Sequence, residues 1–199
     1  MSSLLASRDS DIRHALHRVR LRRHHSNPST LVVDELGLAH AKCRVDVAVI
    51  RRTIHGYEIK SGMDTLSRLR RQLSVYEKTL EELTFVTDEK HIPELNSEIP
   101  EWCGLIVAEK GPRGGMRLNS FRRAELNPYV DPVMLAHLLW KTEALELLSG
   151  SGYSSRDLRR PRKQLYEMLS EVLTLKEITL AIREFMGKRP TWRDLQVPA

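Results

Sequence analysis

The chain has 199 residues, 41% of them hydrophobic and 29% charged, the make-up of an ordinary globular protein with one main core and room for a small appendage. Its net charge of +6 sits at the ends: residues 1–30 hold six arginines against two aspartates, and residues 151–199 hold ten lysines and arginines against six acids. Two distant cysteines without a CxxC exclude a disulfide framework and a zinc knuckle. No apolar run has the length of a signal peptide or a bilayer span, so a cytoplasmic protein with reduced thiols and no membrane contact is expected, or a nuclear one in a eukaryote.

In DSDIRHALHRVRLRR, residues 9–23, Ile12, Leu16 and Val19 recur at helical spacing with arginines on the outer face and Ser10 or Asp11 as cap. This predicts a basic amphipathic helix, ended before Pro28. From Leu31 the period becomes two: LVVDELGLAH, KCRVDVAVI and HGYEIKS read as three short strands, paired most simply as an antiparallel meander. In MDTLSRLRRQLSVYEKTLEEL the residues Leu66, Leu69, Leu73, Tyr76, Leu80 and Leu83 step by three and four, predicting a helix with Asp64 as N-cap. TFVT follows as a β run, HIPELNSEIPEW as a helical turn and loop, and 103–108 as a further strand, which GPRGG turns into a return strand, MRLNSFRRAE.

Asp131-Pro132 predicts a helix running to about Leu148, and Ser149-Gly-Ser-Gly152 is the linker candidate. A helix at 163–173 and a capping box, Thr174 to Glu177, opening another through Met186 follow. With the basic KRPTWRDL behind them they permit a helix-turn-helix reading, or equally a helical pair packed on the core. Trp140 and Trp192 are expected in packing, with Trp192, beside Arg189 and Arg193, also placed to stack on a base. The chain divides into an α/β core at 1–128 and a helical region at 129–199.

Three charges break the apolar strand runs: Asp46 among valines, then Glu58 and Lys60 in the next run. A lone buried ion costs several kcal/mol unless it is paired or binds a metal. Residues two apart share a strand face, so Glu58 and Lys60 point the same way, and if the strands pair Asp46 converges with Glu58 on one cation. Two carboxylates and a backbone carbonyl such as that of Ile59 suit Mg²⁺ or Mn²⁺, and the ammonium can orient a water. The bland alternative is a structural salt bridge in a hairpin. Glu35, eleven residues before Asp46, or its neighbour Asp34, is the candidate third acid. Gln72 and Tyr76, four apart, share a helix face with Arg68 one turn earlier. His14, His17, His24 and His25 keep no zinc spacing with a partner and are expected to be solvated.

Glu35, Asp46, Glu58-Ile-Lys60 and Gln72-x-x-x-Tyr76, in the order strand, strand, strand, helix, resemble the PD-(D/E)XK nuclease superfamily with its RecB-type QxxxY motif, over about residues 10–110. The proline that usually precedes the motif aspartate is absent; Arg44-Val45 stand there. The resemblance implies a restriction-endonuclease-like core, a central mixed sheet flanked by helices, and Mg²⁺- or Mn²⁺-dependent cleavage of DNA. It implies Asp46, Glu58, Glu35 and the Ile59 carbonyl as metal ligands, Lys60 as the water-orienting base, and Gln72 and Tyr76 as helpers. Arg44, Arg68, Arg71, Arg20, Arg22 and Arg23 are the candidate nucleic-acid contacts. Nucleases of this type often cut duplexes as homodimers, and the C-terminal helices are a candidate surface for a protein partner. The alternative function is a catalytically silent DNA-binding or scaffold protein that keeps the core.

Overall fold

A computed structural model describes residues 8–111 and 115–189. Its strands are β1 (Leu31–Leu38), β2 (Cys43–Ile50), β3 (Ile54–Lys60), β4 (Glu82–Asp88), β5 (Gly104–Lys110) and β6 (Met116–Arg122). They form a single six-stranded sheet in the order β1-β2-β3-β4-β5-β6. The outer pairs are antiparallel, as the meander expectation has it, while β3, β4 and β5 run parallel. Parallel neighbours need crossovers, and the intervening helices α3 (Leu69–Thr79) and α4 (Ile92–Glu98) supply them. The fold is α/β with a mixed sheet, as expected.

The two faces of the sheet are covered unequally. On one lies α1 (Asp9–Ala15), continued by a π-helical turn at Leu16–Arg20 and a short α2 (Arg22–His25). Ile12, Leu16 and Leu21 pack there on Val32, Val47, Val49, Tyr57, Ile59 and Val86. The Leu21 N–H bonds to the Leu16 carbonyl at 3.0 Å, a five-residue step. That wide turn corrects the helical spacing read from the sequence: Leu21 is fully buried whereas Val19 is 60% exposed.

The other face carries the larger core, which joins Tyr76, Leu83, Phe85 and Leu105 to the C-terminal helices α5 (Pro132–Ala136), α6 (Lys141–Ser149), α7 (Arg162–Val172) and α8 (Leu175–Lys188). The predicted helix from Asp131 starts as expected, with the Asp131 carboxylate accepting from Val133 and Met134, but it breaks into α5 and α6. Trp140 turns extended there and its N–H bonds to Glu143 (2.7 Å). Carbonyls freed by the break are met by the Tyr166 hydroxyl at Leu139 (2.6 Å) and by Arg189 at Leu138 (3.0 Å). Arg189 also lies 4.3 Å from the Trp140 ring centre, so this half-exposed tryptophan is a stacking platform more than a core residue. The capping box of Thr174 and Glu177 opens α8 as predicted. Trp192, Arg193 and most of KRPTWRDL fall outside the described residues, as does the centre of GPRGG.

Asp64 does not cap α3, which begins at Leu69 behind Arg68. Its carboxylate instead turns back onto the Ser61 N–H and hydroxyl (2.8 and 2.6 Å), which closes the turn after β3 and delays the helix. Leu80 and Leu83, read as the end of the helical stripe, lie beyond α3; both are buried, Leu83 within β4.

Candidate active site

The site forms where β2 parts from β3. Pairing between these strands stops at Val47 and Tyr57, so Asp46 and Arg44 stand beyond the ladder and their backbone groups need other partners. The Asp46 carboxylate fills the gap by accepting the Ile59 N–H through Oδ2 at 2.7 Å. The Tyr76 hydroxyl oxygen lies 2.8 Å from the Arg44 carbonyl. Opposite Asp46 on β1, Glu35 takes a left-handed φ of 55°, a strained region for a residue with a side chain. Strand alternation reverses here in both β1 and β2. Val33, Ala48 and Ile50 face the large core, yet so do Leu36, Leu38 and Val45 beyond the fold, although their parity is opposite. Asp46 therefore sits at a crossover of faces, where simple alternation against its valines does not apply.

Glu58 and Lys60 share the face of β3 turned toward α3, as their spacing predicts. Lys60 Nζ donates to Glu58 Oε1 at 2.7 Å, and both residues are buried. Gln72 joins them: its amide nitrogen donates to Glu58 Oε1 (2.7 Å), while its oxygen accepts from Lys60 (3.0 Å). Tyr76 donates to Glu58 Oε2 at 2.7 Å. Burial and the neighbouring Glu58 carboxylate push the Tyr76 phenol far above its usual range, so it remains a donor. Behind Lys60, the Thr87 hydroxyl donates to its carbonyl (3.0 Å), and His91 Nε2 lies 3.1 Å from the Ser61 carbonyl.

Asp46 is the least compensated of these groups. Burial first, then the Glu58 carboxylate, push its acid up to about 7, against the pull of the Ile59 N–H and Arg13. Its side chain is 22% exposed, compared with 4% for Glu58 and 10% for Lys60, so the cluster meets solvent at Asp46. Such a pair, one acid at the surface and one held inside, has the donor chemistry of a Mg²⁺ or Mn²⁺ site that keeps several waters. Among the described residues no three His, Cys, Asp or Glu side chains converge as a metal cluster. The remaining donors to an ion would therefore be backbone or water.

Arg13 is the residue that sequence reasoning misses. Expected on the solvated outer face of the helix, it turns inward: Nη1 donates to the Asp46 carbonyl (2.8 Å), and Nη2 lies 3.0 Å from Asp46 Oδ1 and 2.9 Å from Glu35 Oε1. Asp9, one helical turn earlier, pairs with its Nε at 3.4 Å. The only hint in the sequence is that i,i+4 acid–arginine pair. Glu35 thus joins the site through Arg13 and through Arg44 at 3.5 Å, rather than by meeting Asp46 and Glu58 directly.

Asp34 turns elsewhere. Its Oδ1 lies 3.0 Å from His17 Nε2, and His17 Nδ1 is 3.0 Å from His25 Nε2. His17 is accordingly packed, contrary to the solvated expectation; its side chain is 19% exposed. The structure brings together Asp46, Glu58, Lys60, Gln72 and Tyr76, with Ile59 present through its N–H. Arg44, at the start of β2, and Arg68 and Arg71, at the start of α3, are exposed. Arg20, Arg22 and Arg23 are exposed beyond α1, where Arg20 acts on Tyr57. Recesses of about 510 Å³ between α1 and β6 and about 440 Å³ beside α4 are lined by other residues, the first including His14, Arg18 and Lys110.

Comparison with known proteins gives three matches. The family described as "Bacteriophage P4 protein cII" matches residues 6–194. Protein cII of Enterobacteria phage P4 is 25% identical over 156 residues, which is 78% of this chain and 56% of that protein. The chain thus spans little more than half the length of that relative. Among solved structures, the SPO1766 protein of unknown function from Silicibacter pomeroyi is 21% identical, with a TM-score of 0.45 over 73% of this chain and 94% of that one.

Proposed function

The chain belongs to the bacteriophage P4 cII family, and with that as premise we propose that it is a Mg²⁺- or Mn²⁺-dependent nuclease acting on DNA. No helix among the described residues is long and apolar enough to cross a membrane. The observation that carries the proposal is the Glu58–Lys60 contact of 2.7 Å at the end of β3, clamped by Gln72 and Tyr76 beside Asp46. A structural ion pair needs neither a second acid at its mouth nor an amide that bonds both partners.

Asp46 and Glu58 would hold the ion. When bound, it supplies Lewis acidity toward a phosphoryl oxygen and a more acidic water. The residues do the rest. Tyr76 and Gln72 fix the Glu58 carboxylate in one orientation, which keeps its charge aimed at the fork between β2 and β3. Lys60, held by Glu58 and Gln72, has one N–H left to orient a water for attack on phosphorus and to offset charge as it develops. Arg44, Arg68 and Arg71, all exposed, suit the flanking phosphates.

One observation favours a second reading, a catalytically silent DNA-binding or scaffold protein: the Arg13 guanidinium already pairs with Asp46 at 3.0 Å. Cleavage of labelled DNA with Mn²⁺ by the wild type, Lys60→Ala and Asp46→Asn separates the two. Loss in both variants by about a thousandfold or more is expected. Equal cutting by all three proteins ends the nuclease reading.

A further inference from the structure

Arg13 makes more contacts with the acids of the site than any other cation near them. Its guanidinium spans Asp46 Oδ1 (3.0 Å), the Asp46 carbonyl (2.8 Å) and Glu35 Oε1 (2.9 Å), with Asp9 behind it at 3.4 Å. The second Asp46 oxygen is already committed to the Ile59 N–H at 2.7 Å. The remaining oxygen of Asp46, the residue through which the cluster meets solvent, is therefore the one Arg13 uses. An ion of the Mg²⁺ class sits roughly 2.1 Å from its oxygen ligands. On Asp46 Oδ1 it would face a guanidinium nitrogen now 3.0 Å from that same oxygen, two cations crowded on one carboxylate.

The backbone of α1 is not free to back away. Ile12 and Leu16, on either side of Arg13 in sequence, are fully buried against β2 and β3 and anchor the helix. The Arg13 side chain is 21% exposed and lies at the solvent edge, so it can rotate outward while its helix stays seated.

We propose that Arg13 and a divalent cation are alternative occupants of Asp46, so that Arg13 sets the affinity and ion selectivity of the site by competing for its outer oxygen. This rests on the metal-dependent reading of the cluster. Arg13 acts as a built-in counter-ion: it holds Asp46 and Glu35 in place until an ion of higher charge density displaces it. The freed guanidinium then stands next to the acids, charged and fork-shaped, the chemistry that pairs with a phosphate of the DNA backbone.

The test is calorimetric titration of Mn²⁺ into the full chain as wild type, Arg13→Gln, Asp9→Asn and Asp46→Asn. Arg13→Gln removes the charge and is expected to bind Mn²⁺ about tenfold more tightly, the worth of one charge-assisted hydrogen bond to a half-buried carboxylate. Asp9→Asn loosens the arginine from outside the site and is expected to tighten binding about two- to threefold, the worth of an exposed ion pair. Asp46→Asn is expected to abolish binding. In an Arg13→Ala protein, guanidinium at sub-denaturing concentration should compete with Mn²⁺, which a merely structural arginine would not produce. Unchanged or weaker Mn²⁺ affinity in folded Arg13→Gln overturns the competition while leaving the nuclease reading intact. Should Arg13→Gln fail to fold, unchanged affinity in Asp9→Asn overturns it equally. Absence of Mn²⁺ binding in both the wild type and Arg13→Gln overturns both proposals.

Discussion

Glu143 and Arg189, joined at 2.6 Å where α6 begins and α8 has ended, and Glu58 and Lys60, joined at 2.7 Å at the end of β3, are both buried ion pairs. Around the first, every charge is matched. Arg189 meets both Glu143 oxygens and the Leu138 carbonyl, stacks on Trp140, and Glu143 takes the Trp140 N–H. It closes a helix break and binds α8 to α6. Around the second, Asp46 adds an acid that the neighbouring donors only partly offset, and the cluster opens to solvent through it. Burial of charge alone does not mark a site; the surplus charge at an accessible mouth does.

Substitutions on either side test this contrast. The largest effect is expected from Asp46→Asn in the Mn²⁺-dependent cleavage of labelled DNA, with little loss of stability, because the amide keeps one oxygen for the Ile59 N–H. Glu143→Ala should behave in the opposite way. It strands Arg189 in the core and should cost about 3–5 kcal/mol in urea unfolding, while activity per folded molecule stays near wild type. If Glu143→Ala also lost Mn²⁺-dependent cleavage in the folded fraction, the separation of the two pairs would fail. Tyr76→Phe lies between them. Removing its hydroxyl leaves the buried Glu58 Oε2 short of a donor, for a loss of about 1–3 kcal/mol together with reduced cleavage.

A further effect concerns acid. Burial, opposed by Glu82, lowers His55 to about 4, and burial with His40, Arg162 and Lys42 nearby lowers His137 to about 4. The unfolded chain takes up these protons near 6.5, the folded one only near 4. Their contribution is therefore whole above pH 6.5 and is lost as the pH falls toward 4. Thermal melts across that window should show the decline, and His55→Gln should flatten it in part.

Much of the candidate site was legible because charge in a strand run is costly and therefore visible: Asp46, Glu58 and Lys60 stand out among valines and isoleucines. Gln72 and Tyr76 could be paired because a four-residue step is fixed by helix geometry. Arg13 could not be placed, since an arginine on an amphipathic helix reads as solvated and nothing local tells that the helix will cross β2 at Asp46, 33 residues on. Arg189 was missed for the same reason, its partner Glu143 lying 46 residues away. The sheet order was partly legible: the antiparallel β1–β3 meander followed from short connections, while the parallel run of β3 to β5 depended on which side each helix crosses. Asp64 and Val19 were misread because local pattern admits a cap or a stripe that side-chain bonding to Ser61 and a wide helical turn respectively override.

The wide turn at Leu16–Arg20 separates the arginines of the N-terminal segment into two independent sets. Successive residues of a helix are rotated by about 100°, so Arg20, seven residues on, would return to the face of Arg13 in an uninterrupted helix, and the extra member in this turn swings it away. The downstream cluster can therefore drift in sequence, exchange for lysine or lengthen toward a new polyanion without moving Arg13 from Asp46. A single residue gained or lost between Arg13 and Leu16 would instead turn Arg13 off its acids, making those few positions the least tolerant of length change in the segment.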